Sequence, residues 1–130
     1  MGAWSHGSFA NDDALDWVAA LSASGSGAIV QALARVPEHD DEYLEAPAAC
    51  AAVAAAEVVA AQAGLPAAKL PAKVSAWVAG QPRPSPDLIE LARRAVERVL
   101  RASELRDLWA ESPKSAVWQA EVAGLLARLS

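Results

Sequence analysis

The stretch APAACAAVAAAEVVAAQA, from Ala46 to Ala63, decides the fold. Eleven of its 18 positions are alanine, the best helix former, and three more are valine. Pro47 suits the first turn of a helix, Gly64 supplies a left-handed terminator, and Pro66 follows just past it. The only strongly polar side chains inside it are Glu57 and Gln62. A helix that is apolar on nearly every face belongs in the middle of a bundle, where small side chains let neighbours approach closely. A membrane span is rejected, because alanine contributes little apolar bulk and Glu57 and Gln62 interrupt the run.

Working outward, the flanking segments read as amphipathic helices. Toward the C-terminus, Pro71 opens a short helix over 72–79 carrying Val74, Trp77 and Val78, and Gly80 ends it. QPRPSP (81–86) is a proline-stiffened connector. Ser85 caps the next helix with Pro86 at its first position, and Leu88, Leu91, Ala92, Ala95, Val96 and Val99 form a clean stripe. Glu90–Arg94 and Glu97–Arg101 are pairs four apart on its wet face, each contributing about 0.3 kcal/mol. Ser103 restarts a short helix with Leu105, Leu108 and Trp109 inward. Pro113 interrupts, and a last helix spans 115–129 with Val117 or Trp118, Val122, Leu125, Leu126 and Leu129 inward.

Toward the N-terminus, Asn11 caps a helix running to about Ser22, with Asp12 and Asp13 complementing its dipole and Ala14, Leu15, Val18, Ala19 and Leu21 in register. SASGSG breaks it. A second helix over 27–35 presents Ile29, Val30, Leu33 and Ala34, and Pro37 ends it. Tyr43 and Leu44 are expected to tuck inward from the loop that follows. No two-residue alternation, hairpin dipeptide or internal repeat appears. The expectation is an all-α single domain over 1–130, with six or seven helices around a central helix at about 46–63. An ordered lead-in over 1–10 should pack on the bundle through Trp4 and Phe9.

Composition narrows the function. The 130 residues suffice for one sizeable core. Net charge is −5, which disfavours nucleic-acid binding; the six arginines between Arg83 and Arg106 face four acids and read as solvated surface. No membrane span or secretory leader is expected, and a lone cysteine, Cys50, suits a reducing cytoplasm. No zinc-ligand spacing, nucleophile elbow or phosphate-binding glycine loop occurs, so neither metal nor cofactor is expected.

Three groupings remain. Asp12 and Asp16 share a helix face, with Asn11 beside them and His6 in the lead-in; capping accounts for most of this group without a ligand. Glu57 lies in a buried stripe and must be paired, bonded or protonated. The expected donors to it are N–H groups of the lead-in. Finally, EHDDEYLE (38–45) gathers Glu38, Asp40, Asp41, Glu42 and Glu45 with no base between them.

The opening MGAWSHGSFANDDALDWVAAL resembles that of a bacterial family of unknown function, DUF4259, whose members begin Trp-Gly-x-Gly-x-Phe-x-Asn-Asp-x-Ala-x-Asp-Trp. The matching positions are Trp4, Gly7, Phe9, Asn11, Asp12, Ala14, Asp16 and Trp17, with Ser5 in place of one glycine. YLEAPAACAAVAAAEVVAAQAG and SELRDLWAES are similar to the family's central helix and C-terminal part. The resemblance implies no activity.

Two classes of function follow. One is a small cytoplasmic protein-binding module, of an immunity or antitoxin kind, using the acidic loop against a protein partner. The other is a ligand site or enzyme built from His6, Asn11, Asp12, Asp16 and Glu57. The first ranks higher, because no nucleophile, base and orienting group assemble from the sequence.

Overall fold

In the computed structural model, which describes residues 9, 11–39, 41–67 and 70–130, the chain is all-α. Among the described residues there are seven helices: α1 (Asp12–Ser24), α2 (Ser26–Ala34), α3 (Ala46–Gln62), α4 (Ala72–Ala79), α5 (Pro86–Arg101), α6 (Glu104–Ala110) and α7 (Ser115–Arg128). They form one compact domain. No helix is long and apolar enough to cross a membrane. Of the lead-in, Phe9 is buried; the expectations for Trp4, His6 and the rest of 1–10 lie outside the described residues.

Helix α3 is the axis. Every residue from Ala52 to Ala61 is buried, and the helix packs against all six others. Its alanines bring the neighbouring backbones near, so valine, leucine and tryptophan from outside fill the remaining space. Pro47 opens it, and Gly64 (φ 89°) turns the chain out of it. Its own cap position, Glu45, makes no side-chain cap bond. The service comes from 58 residues away: the Ala46 N–H donates to Glu104 Oε1 at 2.7 Å, and the Glu104 N–H donates back to Leu44 O at 2.9 Å. The starts of α3 and α6 are thereby knitted together, with a carboxylate where the helix dipole favours one.

The other boundaries follow local chemistry. Asn11 Oδ1 accepts from the Ala14 N–H (2.7 Å), Ser85 from Leu88 (3.2 Å) and Ser103 from Arg106 (3.0 Å). Between α1 and α2, Gly25 takes φ 62° and its N–H closes on Leu21 O at 2.8 Å.

Side-chain direction departs from the simple period at several places. On α1, Leu15 is 41% exposed while Trp17 is buried, its indole N–H donating to Ala28 O at 3.1 Å across the α1–α2 turn. On α2, Val30 faces solvent, and Ala28 and Ala32 face in with Ile29 and Leu33. On α7, Trp118 rather than Val117 is inward, stacked on Trp109 of α6 with ring centroids 6.2 Å apart and planes 8° from parallel. Glu97 pairs with Arg93, one turn before it, and Glu90 pairs with both Arg93 and Arg94.

Because Ala56 is fully buried in α3, Ala56→Leu should overpack the centre and destabilise by about 1–3 kcal/mol. Ala127→Leu, on the exposed face of α7, should stay near wild type. Urea midpoints of the two variants check the contrast.

Candidate functional site at the acidic loop

The residues between α2 and α3 make a strap across α5. Glu38, Asp41, Glu42 and Glu45 are all exposed, while Leu44 between them is buried. Asp40 lies outside the described residues. Tyr43 is a correction: it is 64% exposed instead of tucked inward. Adjacent residues of an extended segment point to opposite sides, so with Leu44 in the core Tyr43 must face out.

What holds the strap is Arg98 of α5. Its side chain is buried and its guanidinium donates to four backbone carbonyls. Nε reaches Ala102 O at 2.8 Å, Nη1 reaches Pro37 O at 3.0 Å and His39 O at 2.9 Å, and Nη2 reaches Glu42 O. Charged donors to buried carbonyls are among the stronger hydrogen bonds, and the planar fork suits several acceptors at once. The sequence reading placed this arginine with the solvated surface. Its position could have been found from spacing, because Leu91, Ala95, Arg98 and Ala102 stand four, three and four apart and share one face of the helix.

Clefts open on both sides of the strap, and Arg98 lines each. The larger, about 420 Å³, runs between α5 and the chain leaving α2, with Leu33, Val36 and Leu91 inside and Glu38, Arg94 and Arg101 along its edges. The smaller, about 260 Å³, is lined by Asp41, Glu42, Tyr43, Arg106 and Asp107 among others. The loop acids are therefore divided between them: Glu38 borders the first, and Asp41 and Glu42 the second.

The other grouping has a different environment. Asn11 is buried and engaged in capping, and Asp12 and Asp16 are exposed on α1. Glu57 is 2% exposed, and its Oε1 lies 2.8 Å from Nη1 of Arg128 on α7. Arg128 also donates to Leu65 O at 3.1 Å, just beyond the end of α3. The C-terminal helix is thus ion-paired to the central one by a cation that no sequence pattern linked to Glu57. His6, the remaining member, lies outside the described residues. Cys50 is buried, and desolvation, with Asp13 adding to it, pushes its thiol up to about 12. A group so reluctant to ionise is a poor nucleophile at neutral pH. Among the described residues, no three His, Cys, Asp or Glu side chains gather into a group that would hold a metal ion.

A family model described as "Domain of unknown function (DUF4259)" matches residues 2–121. The chain belongs to that family. No curated protein and no solved structure matches this DUF4259 chain. Within the family's opening pattern, Asn11 starts α1, Ala14 is fully buried and Trp17 ties α1 to α2. Those three positions therefore have structural work, and Asp12 and Asp16 remain on the surface.

Substitutions at two positions separate support from display. Glu57→Ala, which leaves Arg128 without its ion-pair partner, should cost about 1–3 kcal/mol, and Glu57→Gln, which keeps one oxygen, clearly less; denaturant titration measures both. Arg98→Lys keeps the charge but not the fork. Amide exchange at Asp41, Glu42 and Tyr43 should then accelerate by on the order of tenfold while α3 stays protected.

Proposed function

We propose that this DUF4259 protein is a cytoplasmic protein-binding module whose acidic loop covers a basic surface of another protein, as immunity proteins and antitoxins cover their targets. One observation carries the reading. The carboxylates of Glu38, Asp41, Glu42 and Glu45 all stand in solvent above a backbone that Arg98 grips from beneath. A loop ordered before its partner arrives loses little further entropy on binding. Its concentrated negative charge, on a chain of net charge −5, steers a cationic partner and raises the association rate. Exposed Tyr43 adds the kind of aromatic surface that interfaces favour. The buried lone thiol of Cys50 accords with a reducing compartment.

A carboxylate-based ligand site or enzyme centred on Asn11, Asp12, Asp16 and Glu57 ranks second. Asn11 and Glu57 are already engaged by Ala14 and Arg128, and Asp12 and Asp16 point to water.

Affinity capture from a lysate of the source organism, at low and at high salt, tests the proposal. The wild-type chain should retain a basic protein that is lost at high salt. The charge-reversed Asp41→Lys, Glu42→Lys double variant should bind that protein with an association rate lower by on the order of tenfold or more. Retention of the same proteins by wild type and variant, with no salt dependence, would sink the reading.

A further inference from the structure

We infer that Tyr43 is the central contact of the acidic face, and that the partner lays the guanidinium of an arginine on its ring. The inference rests on the acidic-face reading and adds to it the residue that anchors binding and the side chain it receives. Tyr43 is the chain's only tyrosine. At 64% exposure it is also the most open of the large apolar and aromatic side chains among the described residues. Its backbone is fixed on both sides: Glu42 O accepts from Arg98 Nη2, Leu44 is buried, and Leu44 O accepts from the Glu104 N–H at 2.9 Å. A tyrosine side chain has few rotatable bonds, so a ring displayed on a held backbone offers wide contact at little entropic cost.

The charge around the ring favours a cation. Desolvation, and after it the carboxylates of Glu104, Asp107 and Glu45, push the Tyr43 hydroxyl above its usual pKa. Asp41 and Glu42 line the smaller cleft with Tyr43, together with Asp107, Arg98, Arg101 and Arg106. The neighbourhood thus holds five carboxylates, Asp41, Glu42, Glu45, Glu104 and Asp107, against three guanidiniums. Arg98 is buried with its fork on the strap's carbonyls, and Arg106 Nη1 lies 3.8 Å from Asp107 Oδ1. The balance at the surface is negative.

Among cations, the guanidinium fits best. It is planar and weakly hydrated, stacks on aromatic faces, and presents a fork of N–H donors to carboxylates. Tyr43 with the acids beside it offers both kinds of contact at once. A lysine ammonium holds its water more strongly, and it cannot lie flat on a ring while forking to an acid. An apolar insert would desolvate the neighbouring acids without pairing them. The loop acids therefore attract the partner, and Tyr43 selects which cation is held.

Pentapeptides of arginine, of lysine and of glutamate, each labelled with fluorescein, provide the probes. Anisotropy at low salt should show penta-arginine binding about two- to fivefold tighter than penta-lysine, the gain expected of one exposed cation–π contact. Tyr43→Leu, at an exposed position, should bring penta-arginine to the affinity of penta-lysine and change penta-lysine little. Tyr43→Phe, which keeps the ring, should preserve the arginine preference. On the wild-type chain, isotope-labelled tyrosine gives ring resonances from Tyr43 alone. These should shift more with penta-arginine than with penta-lysine, a readout that does not depend on any variant folding.

An arginine preference that survives Tyr43→Leu, or ring resonances unmoved by penta-arginine, would overturn Tyr43 as the contact and leave the acidic-face reading standing. Equal affinity of the wild-type chain for the two cationic peptides would overturn the choice of guanidinium. Failure of both cationic peptides to bind more tightly than penta-glutamate would overturn the contact and the acidic face together.

Discussion

A helix with no wet face imposes conditions on everything around it. Because α3 is enclosed on all sides, each of the other six helices must reach it, and its alanines set how closely they lie. The helix also buries two electrostatic obligations. Its first N–H groups lack intrahelical acceptors, and Glu57 places a carboxylate in an apolar interior. Distant parts of the chain answer to both: Glu104 at the start of α6 accepts from the Ala46 N–H, and Arg128 at the end of α7 ion-pairs with Glu57. The C-terminal half is therefore more than a coat over the core, since it caps the first turn of the central helix and pairs a cation with its buried carboxylate.

The strap follows the same logic with the signs reversed. A buried guanidinium needs acceptors, and backbone carbonyls of Pro37, His39 and Glu42 supply them. With those carbonyls turned inward, the side chains of Glu38, Asp41, Glu42 and Glu45 face water. A single cation in α5 thus orients the loop by holding its backbone carbonyls. The region with the most obvious charge pattern in the sequence is organised by a residue of opposite charge nearly 60 positions later.

Legibility divides along that line. The central helix could be read because alanine content, Pro47 and Gly64 are local signals that agree with one another. The caps at Asn11, Ser85 and Ser103 and the stripe of α5 were legible for the same reason. Facing was harder. Residues 14–21 of α1 offer apolar groups on more than one side, and Trp17 gained the interior because its N–H meets Ala28 O while Leu15 was left outside. Tyr43 and Leu44 competed for one inward direction. Arg98 was misplaced because charge usually means surface, and only its helical phase argued otherwise. The acids of the loop were visible as a group, but the backbone geometry that displays them depends on contacts between residues 37–42 and 98, which no local pattern encodes.

The stacked pair Trp109 and Trp118 has a spectroscopic consequence. Two indoles 6.2 Å apart are close enough to couple their electronic transitions, so their contribution to the far-ultraviolet circular dichroism depends on how the two rings are set against each other. One ring belongs to α6 and the other to α7, so the signal exists only while those helices are docked. The α6–α7 corner carries both Glu104, which caps the central helix, and Arg128, which meets its buried carboxylate. The molecule therefore contains its own optical gauge of whether that corner is closed, independent of total helix content and free of any added label.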